Sequence, residues 1–144
     1  MSYNIYSLSE VRAVLYHENV GTCNLHQCGR GRMVVSYSGD LSSHTTTADG
    51  YVVVNRMKAE NGIITLEIPQ NFVGDDFLRK WARYLRNLND SSRFAKSTLT
   101  ISDQGGGFTL VCEGVTPQKV PDRTFDRTST NLTWTFLAAC ITEQ

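Results

Sequence analysis

The sequence is poor in proline and cysteine, has no excess of charge of either sign, and contains no long apolar run. With 3 prolines and 11 glycines among 144 residues, neither a collagen-like nor a disordered composition fits. The 14 basic residues are balanced by 14 acidic ones, so the chain lacks the basic excess that phosphate-driven binding of nucleic acid requires. This balance disfavours a protein that reads DNA sequence.

Four cysteines are too few and too scattered for a disulfide scaffold. They stand at Cys23, Cys28, Cys112 and Cys140. The first residues do not show the basic and then apolar pattern of a secretory signal, and no apolar run reaches the roughly 18 residues of a membrane span. We therefore expect free thiols in a soluble chain that is made in a cytoplasm.

Alternating and β-branched residues predict a mainly β chain. Strands are expected at residues 11–16 and 33–37, and a hairpin with a glycine-rich turn is expected at residues 98–113. Near the C-terminus, the alternating residues 132–136 run into the wholly apolar residues 137–141. We expect this last strand to be central and buried.

A further hairpin is expected over residues 51–68, because Asn61-Gly62 separates two β-rich segments. Asn-Gly is the strongest short hairpin signal, since both residues tolerate a positive φ. The preceding residues 40–50 are almost entirely polar and predict a long loop or extended arm. Loops of this length inside a compact domain are usually functional or disordered.

A helix is predicted at residues 75–88, where apolar side chains recur at helical spacing. Acidic residues at its start and arginines toward its end complement the helix dipole. Its basic face suits contact with solvent or, alternatively, with a neighbouring subunit. The residues of this face are Arg79, Lys80, Arg83 and Arg86. The core residues expected here and on the later strands are Phe77, Trp81, Leu85, Leu110, Trp134 and Phe136.

Together these patterns predict a mainly β, α+β fold. We expect an antiparallel β-barrel or sandwich of six or seven strands, with one flanking helix at about residues 75–88. The length suits a single domain over residues 1–144.

No catalytic or cofactor-binding pattern stands out. Cys23, His26 and Cys28 form a weak candidate metal site, because the spacing lacks the paired cysteines of common zinc modules. The glycines of residues 29–32 are followed by strand residues rather than by the helix of a dinucleotide-binding loop. The two adjacent aspartates at the helix start are explained by the helix dipole. We therefore expect no enzyme and no cofactor.

Several segments resemble a family of bacteriophage structural proteins. They include YNIYSLSEVRAVLYH at residues 3–17, TADGYVVVNRMKAENG at residues 47–62, FLRKW at residues 77–81, GVTPQKVPD at residues 114–122 and NLTWTF at residues 131–136. The family is that of the tail tube proteins of long-tailed phages, and the resemblance points to contractile-tailed ones. It implies a β-barrel or sandwich with one flanking helix, built into stacked hexameric rings around a bore that passes double-stranded DNA.

The resemblance also implies where the protein acts and with what. It implies a virion tail component made in the host bacterial cytoplasm, whose partners are copies of itself and the tail sheath, baseplate, tape-measure and tail terminator proteins. Exposed strand edges would complete the sheets of neighbouring subunits. DNA contact would be transient and non-specific, so we expect a bore lined by polar or acidic groups.

The arm at residues 40–50, the hairpin at residues 51–68 and, less strongly, the connection at residues 114–129 are the segments expected to reach a neighbouring subunit. The candidate interface residues are Asp40, Ser43, His44, Thr45, Thr46, Thr47, Asp49, Tyr51, Val53, Arg79, Arg83 and Arg86. The alternatives are another tail component, such as a baseplate, tail-completion or tail-tip protein, and a small metal-binding protein.

Overall fold

A computed structural model of the protein describes residues 5–25, 31–70, 73–128 and 130–144. This part of the chain forms ten β-strands and one α-helix. The elements are β1 (Val11–His17), β2 (Gly21–Asn24), β3 (Met33–Tyr37), β4 (Ser42–Thr46), β5 (Val52–Arg56), β6 (Gly62–Pro69), α1 (Val73–Arg86), β7 (Ser97–Asp103), β8 (Phe108–Lys119), β9 (Asn131–Ala138) and β10 (Cys140–Glu143).

Eight of the described strands form one antiparallel sheet in the order β2-β1-β7-β8-β9-β6-β3, with β10 also paired to β8. The 12-residue strand β8 is shared by two halves of this sheet: its first part pairs with β7 and β10, and its last part pairs with β9. Among the described strands, β2 and β3 lie at the two ends, so the sheet is an open sandwich and not a closed barrel. The mainly β, α+β class is confirmed, with more strands than the six or seven predicted.

The core lies where alternating side chains of the two halves meet. In β6, Ile64, Leu66 and Ile68 are fully buried while the residues between them are half-buried. This is the face that the sequence alternation predicts, because successive strand residues point to opposite sides of the sheet.

Helix α1 packs its apolar stripe against β2 and β6. The Trp81 ring meets the Phe136 ring edge-on at 5.4 Å, and Trp81 Nε1 donates a hydrogen bond to Ser97 Oγ at 2.8 Å. The Trp134 ring stacks on Phe136 at 6.3 Å. Of the predicted core residues, Phe77 is half-buried and the buried ones are Trp81, Leu85, Leu110, Trp134 and Phe136. No helix in the described ranges is long and apolar enough to cross a membrane.

The prediction of a hairpin over residues 51–68 is wrong. Strand β5 pairs with β4 in a separate two-stranded sheet, whereas β6 pairs with β3 and β9. Gly62 does not form a turn: a Cβ at this position would overlap the Ser36 carbonyl oxygen and the Ile141 side chain. The glycine is needed because neighbouring strands approach the backbone of β6 closely.

The loop predicted at residues 40–50 contains strand β4, which pairs along its whole length with β5. The turn between β4 and β5 consists of the three residues Ala48-Asp49-Gly50. Gly50 has a φ of +86° and its N–H donates to the Thr47 carbonyl at 3.0 Å. The Thr47 side chain also accepts the Tyr51 N–H at 3.1 Å, which closes the turn.

The predicted C-terminal strand is divided in two. It is central, because β9 lies between β8 and β6. Strands β9 and β10 run along β8 in one register, since Leu137 pairs with Thr116 and Cys140 pairs with Glu113. The interruption lies at Ala139, opposite Gly114. Gly114 has a φ of +65°, and a Cβ there would lie 2.7 Å from the Ala139 Cβ.

We expect Gly114→Ala to lower the free energy of unfolding by about 2–4 kcal/mol. The left-handed backbone costs an alanine about 1–2 kcal/mol, and the overlap with Ala139 adds to this cost. Gly107→Ala is the matched control, because Gly107 has a φ of +68° with open space around its Cβ position. Urea unfolding of both variants measures the difference. Equal losses of stability would contradict the close contact with Ala139.

Candidate assembly surfaces

A buried carboxylate at the start of α1 fixes the connection that precedes β9. Asp75 is fully buried, and its Oδ2 accepts a hydrogen bond from Arg123 Nη1 at 3.0 Å. Its Oδ1 accepts one from Trp134 Nε1 at 3.3 Å. Arg79 Nε lies 3.3 Å from Oδ2, close enough for an ion pair but out of line for a hydrogen bond. Because a buried charge is tolerated only when it is paired, this cluster ties α1 to β9 and to the segment around Arg123.

Asp75 and Asp76 were both predicted to complement the helix dipole, but the structure places them in different environments. The Asp76 side chain is 62% exposed and forms an ion pair with Arg79, whereas Asp75 faces the core. One sequence signal could have shown this: Asp75 precedes Leu78 and Leu85 by three and ten residues, which places it on the apolar stripe of α1.

The predicted basic face of α1 is smaller than expected. Arg79 is half-buried and forms ion pairs with Asp75 and Asp76. Lys80, Arg83 and Arg86 are exposed. The outer side of the helix therefore presents three cations that can meet an acidic partner surface.

Strands β4 and β5 with their turn, residues 42–56, form a hairpin. From here on we use the name arm for this hairpin, which extends beyond the arm predicted at residues 40–50. The structure describes every residue from 38 to 61, and none of them is buried. Val52 and Val54 are 55% and 65% exposed. An isolated two-stranded hairpin is at best marginally stable in water, so the arm lacks a core that would hold it alone.

The two faces of the arm differ in character. On one face, Asn55 Nδ2 donates hydrogen bonds to Ser43 Oγ at 3.2 Å and Thr45 Oγ1 at 3.0 Å. The other face carries Val52 and Val54 opposite threonine and histidine. The predicted interface residues that lie together in the arm are Ser43, His44, Thr45, Thr46, Thr47, Asp49, Tyr51 and Val53.

Two groups of predicted residues lie elsewhere. Asp40 is exposed just before the arm, and the three arginines belong to α1. Val52 and Val54 were not among the predicted interface residues, although the two-residue period of a strand places them on one face of β5. Strand β3, the outermost described strand on its side of the sheet, carries a half-exposed Tyr37 and contains no proline, so its edge is suited to pairing with another chain.

The three described cysteines lie in different environments. Cys23 and Cys112 are buried and Cys140 is half-buried, and these three form no disulfide with one another. His26 and Cys28 of the candidate metal site lie outside the described residues, so that site stays a prediction. Within the described ranges, no three acidic, histidine or cysteine side chains come together to hold a metal ion.

His17 has a structural role. It is fully buried, its Nδ1 accepts the Asn19 N–H at 3.1 Å, and its Nε2 lies 3.1 Å from the Arg93 carbonyl oxygen. The ring also meets Tyr84 of α1 edge-on at 5.3 Å. These contacts use both ring nitrogens to join the β1–β2 turn to the chain beyond α1.

Solved structures of contractile injection systems share this fold. The chain matches a chain of the PVC sheath/tube terminator in the extended state with a TM-score of 0.67 and 15% identity, over 100% of this chain and 99% of that one. It matches the tube-terminating cap of the anti-feeding prophage with a TM-score of 0.65 and 14% identity, over 100% and 93%. It matches the PVC sheath-tube complex with a TM-score of 0.64 and 16% identity, over 97% and 91%.

The fold is therefore one that occurs in assemblies built around a tube. Residues 4–144 match the family of the bacteriophage PhiTE tail tube protein, and the chain belongs to that family. It is a structural component of a phage tail and not an enzyme. No curated protein sequence matches the chain.

We expect Asp75→Asn to lower the free energy of unfolding by about 3–5 kcal/mol, because it leaves Arg123 and Arg79 facing a neutral buried group. Asp76→Asn is the matched control and should cost about 1 kcal/mol or less, since its ion pair is exposed. Denaturant unfolding at neutral pH measures both. Similar losses for the two variants would show that Asp75 does not hold the cluster together.

Burial raises the pKa of the Cys112 thiol from 9.0 to about 11, and the neighbouring Cys140 adds to the rise. A folded-state pKa above the unfolded value stabilises the protein below pH 9, and this contribution is lost as the pH rises toward about 11. The stability of the wild type relative to Cys112→Val should therefore fall between pH 8 and pH 10. Urea unfolding at the two pH values checks this, and an unchanged difference would contradict it.

Proposed function

We propose that the protein is the tube subunit of a contractile phage tail: copies close into rings, six to a ring, and the rings stack into a hollow tube for genome delivery. The observation that carries the proposal is the arm, a hairpin with no buried residue and with two adjacent exposed valines on one face. Membership in a tail tube family supports the same function.

Ring closure and stacking need two different interfaces. A ring of identical subunits uses a head-to-tail contact closed by rotation, and stacking adds a second contact that propagates. The arm supplies apolar surface for one of them. The edge of β3 offers backbone groups that a strand of a neighbour can pair with, which would extend the sheet from subunit to subunit around the bore.

The formal net charge of zero suits a tube through which DNA passes. The chain carries 14 basic and 14 acidic residues, and a bore that held phosphate tightly would stall the passing DNA. A lumen of polar or acidic side chains lets double-stranded DNA pass in transient, non-specific contact. On the outside, Lys80 and Arg83 of α1 offer a cationic face to an acidic surface of the tail sheath.

The same assembly implies further tail partners. The baseplate would start the tube, a tape-measure protein would set its length, and a terminator would end it. The protein would act in the virion tail after synthesis in the host cytoplasm.

A tail terminator is the second candidate function. The similarity to a sheath/tube terminator and to a tube-terminating cap is as high as the similarity to a sheath-tube complex. Purified protein distinguishes the two: a tube subunit forms long tubes of one diameter, and a terminator stops at a single ring. A baseplate protein would form neither alone, and electron microscopy with negative stain separates the three outcomes.

We expect removal of the arm to abolish tube formation without unfolding the subunit. The Met57 N–H donates to the Leu41 carbonyl at 2.9 Å, so residues 42–56 can be replaced by an Asn-Gly turn between chain ends that already meet. Because no residue of the arm is buried, the free energy of unfolding should change by about 1 kcal/mol or less.

The paired substitution Val52→Thr and Val54→Thr is a milder variant for comparison with the deletion. It keeps the backbone of the arm and removes only part of its apolar surface, so tubes should form at higher protein concentration than for the wild type. Tubes of normal length from the deletion variant would show that the arm takes no part in assembly.

A further inference from the structure

A cavity of about 240 Å³ opens between the C-terminal end of α1 and the end of β8. We call it the socket. Its lining residues are Ala82, Leu85, Arg86, Phe94, Pro117, Gln118, Lys119 and Val120. Most of them are apolar, and the two charged ones among them, Arg86 and Lys119, are both cations.

The socket is large enough for an aromatic side chain. An apolar cavity of about 150 Å³ in a protein core accepts benzene, so the larger socket has room for a phenyl ring and a polar group beside it. Its cationic rim favours an occupant in which an apolar ring is next to a carboxylate.

The chain itself carries such a group. Phe125 is 86% exposed, more than any other large apolar side chain in the described ranges, and the next residue is the exposed Asp126. We call these two residues the knob. Two positions before the ring, Arg123 is tied to the buried Asp75. The cluster around Asp75 therefore fixes the segment while the Phe125 ring stays in solvent.

The knob does not fill the socket of its own chain, because Phe125 is exposed. The segment is held at Asp75 in the first turn of α1, whereas the socket lies beside Arg86 in the last turn. Eleven residues at 1.5 Å each separate these points by about 16 Å along the helix. A second copy of the chain carries both surfaces, so the knob of one copy can fill the socket of another.

We propose that the knob of one copy docks in the socket of the next copy, with the Phe125 ring on the apolar floor and the Asp126 carboxylate between Arg86 and Lys119. Knob and socket are different parts of one surface, so the contact is head-to-tail and can repeat around a ring. Lys119 is available for this contact, because its 3.5 Å pair with Asp122 is exposed and weak. This inference rests on the proposed self-assembly and names one of its interfaces.

The first test removes the ring. Burial of a phenylalanine side chain corresponds to a factor of about ten to one hundred in affinity, so Phe125→Ala should raise the concentration for half-assembly by this factor. Tyr6→Ala, which removes another exposed aromatic ring, is the control and should leave assembly unchanged. Analytical ultracentrifugation measures assembly, and thermal unfolding verifies that the variants fold.

The second test exchanges charges across the contact. Asp126→Arg and Arg86→Asp should each weaken assembly about tenfold or more, and the double variant should recover most of the loss. Glu143→Arg makes the same change in net charge as Asp126→Arg at an exposed position that pairs with Leu110, nine residues along β8 from Lys119, and should have no effect. A merely structural role of either residue would give additive losses in the double variant.

The outcomes separate this inference from the proposed function. If the wild type assembles and Phe125→Ala and the single charge variants assemble equally well, the knob and socket are overturned while the tube function stands. If the double variant is as weak as the single ones, the pairing of Asp126 with Arg86 is overturned. A wild type that stays monomeric at high concentration overturns both proposals.

Discussion

The buried carboxylate of Asp75 is the interaction on which the arrangement of the surface depends. It holds α1 on the sandwich through Trp134, and it holds the segment before β9 through Arg123. A buried ion of this kind adds little net stability compared with an apolar group, but it penalises any other placement of its partners. It therefore fixes where the outer face of α1 and the exposed Phe125 lie relative to the core.

One part of the protein buries its own apolar side chains, and another part leaves apolar surface and a strand edge exposed. The eight paired strands and α1 bury their apolar side chains in one core. The arm, the edge of β3 and the knob expose surface that this core does not cover. In the assembly that we propose, further copies cover this surface, because exposed apolar groups and sheet edges are stabilised when another chain covers them.

Turn signals show where the sequence alone misleads. Asp49-Gly50 and Asn61-Gly62 are both dipeptides typical of hairpin turns, yet only the first lies in one, the three-residue turn Ala48-Asp49-Gly50. Strand β6 is paired on both sides, by β3 and β9, so β5 has no position beside it. The arm could be anticipated from the polarity of residues 40–50, but its pairing could not, because a local signal does not state which distant strands compete for the same edge.

Local periodicity determined the β-rich class, the helix, and the buried face of β6, because those features follow from repeats of two and 3.6 residues within one segment. Resemblance along the chain identified the family. Tertiary structure alone decided that Asp75 meets Arg123 and Trp134, that Gly62 serves close packing, and that a socket forms beside Arg86. These features depend on which distant segments come into contact and exclude water, and no pattern within a single segment contains that information.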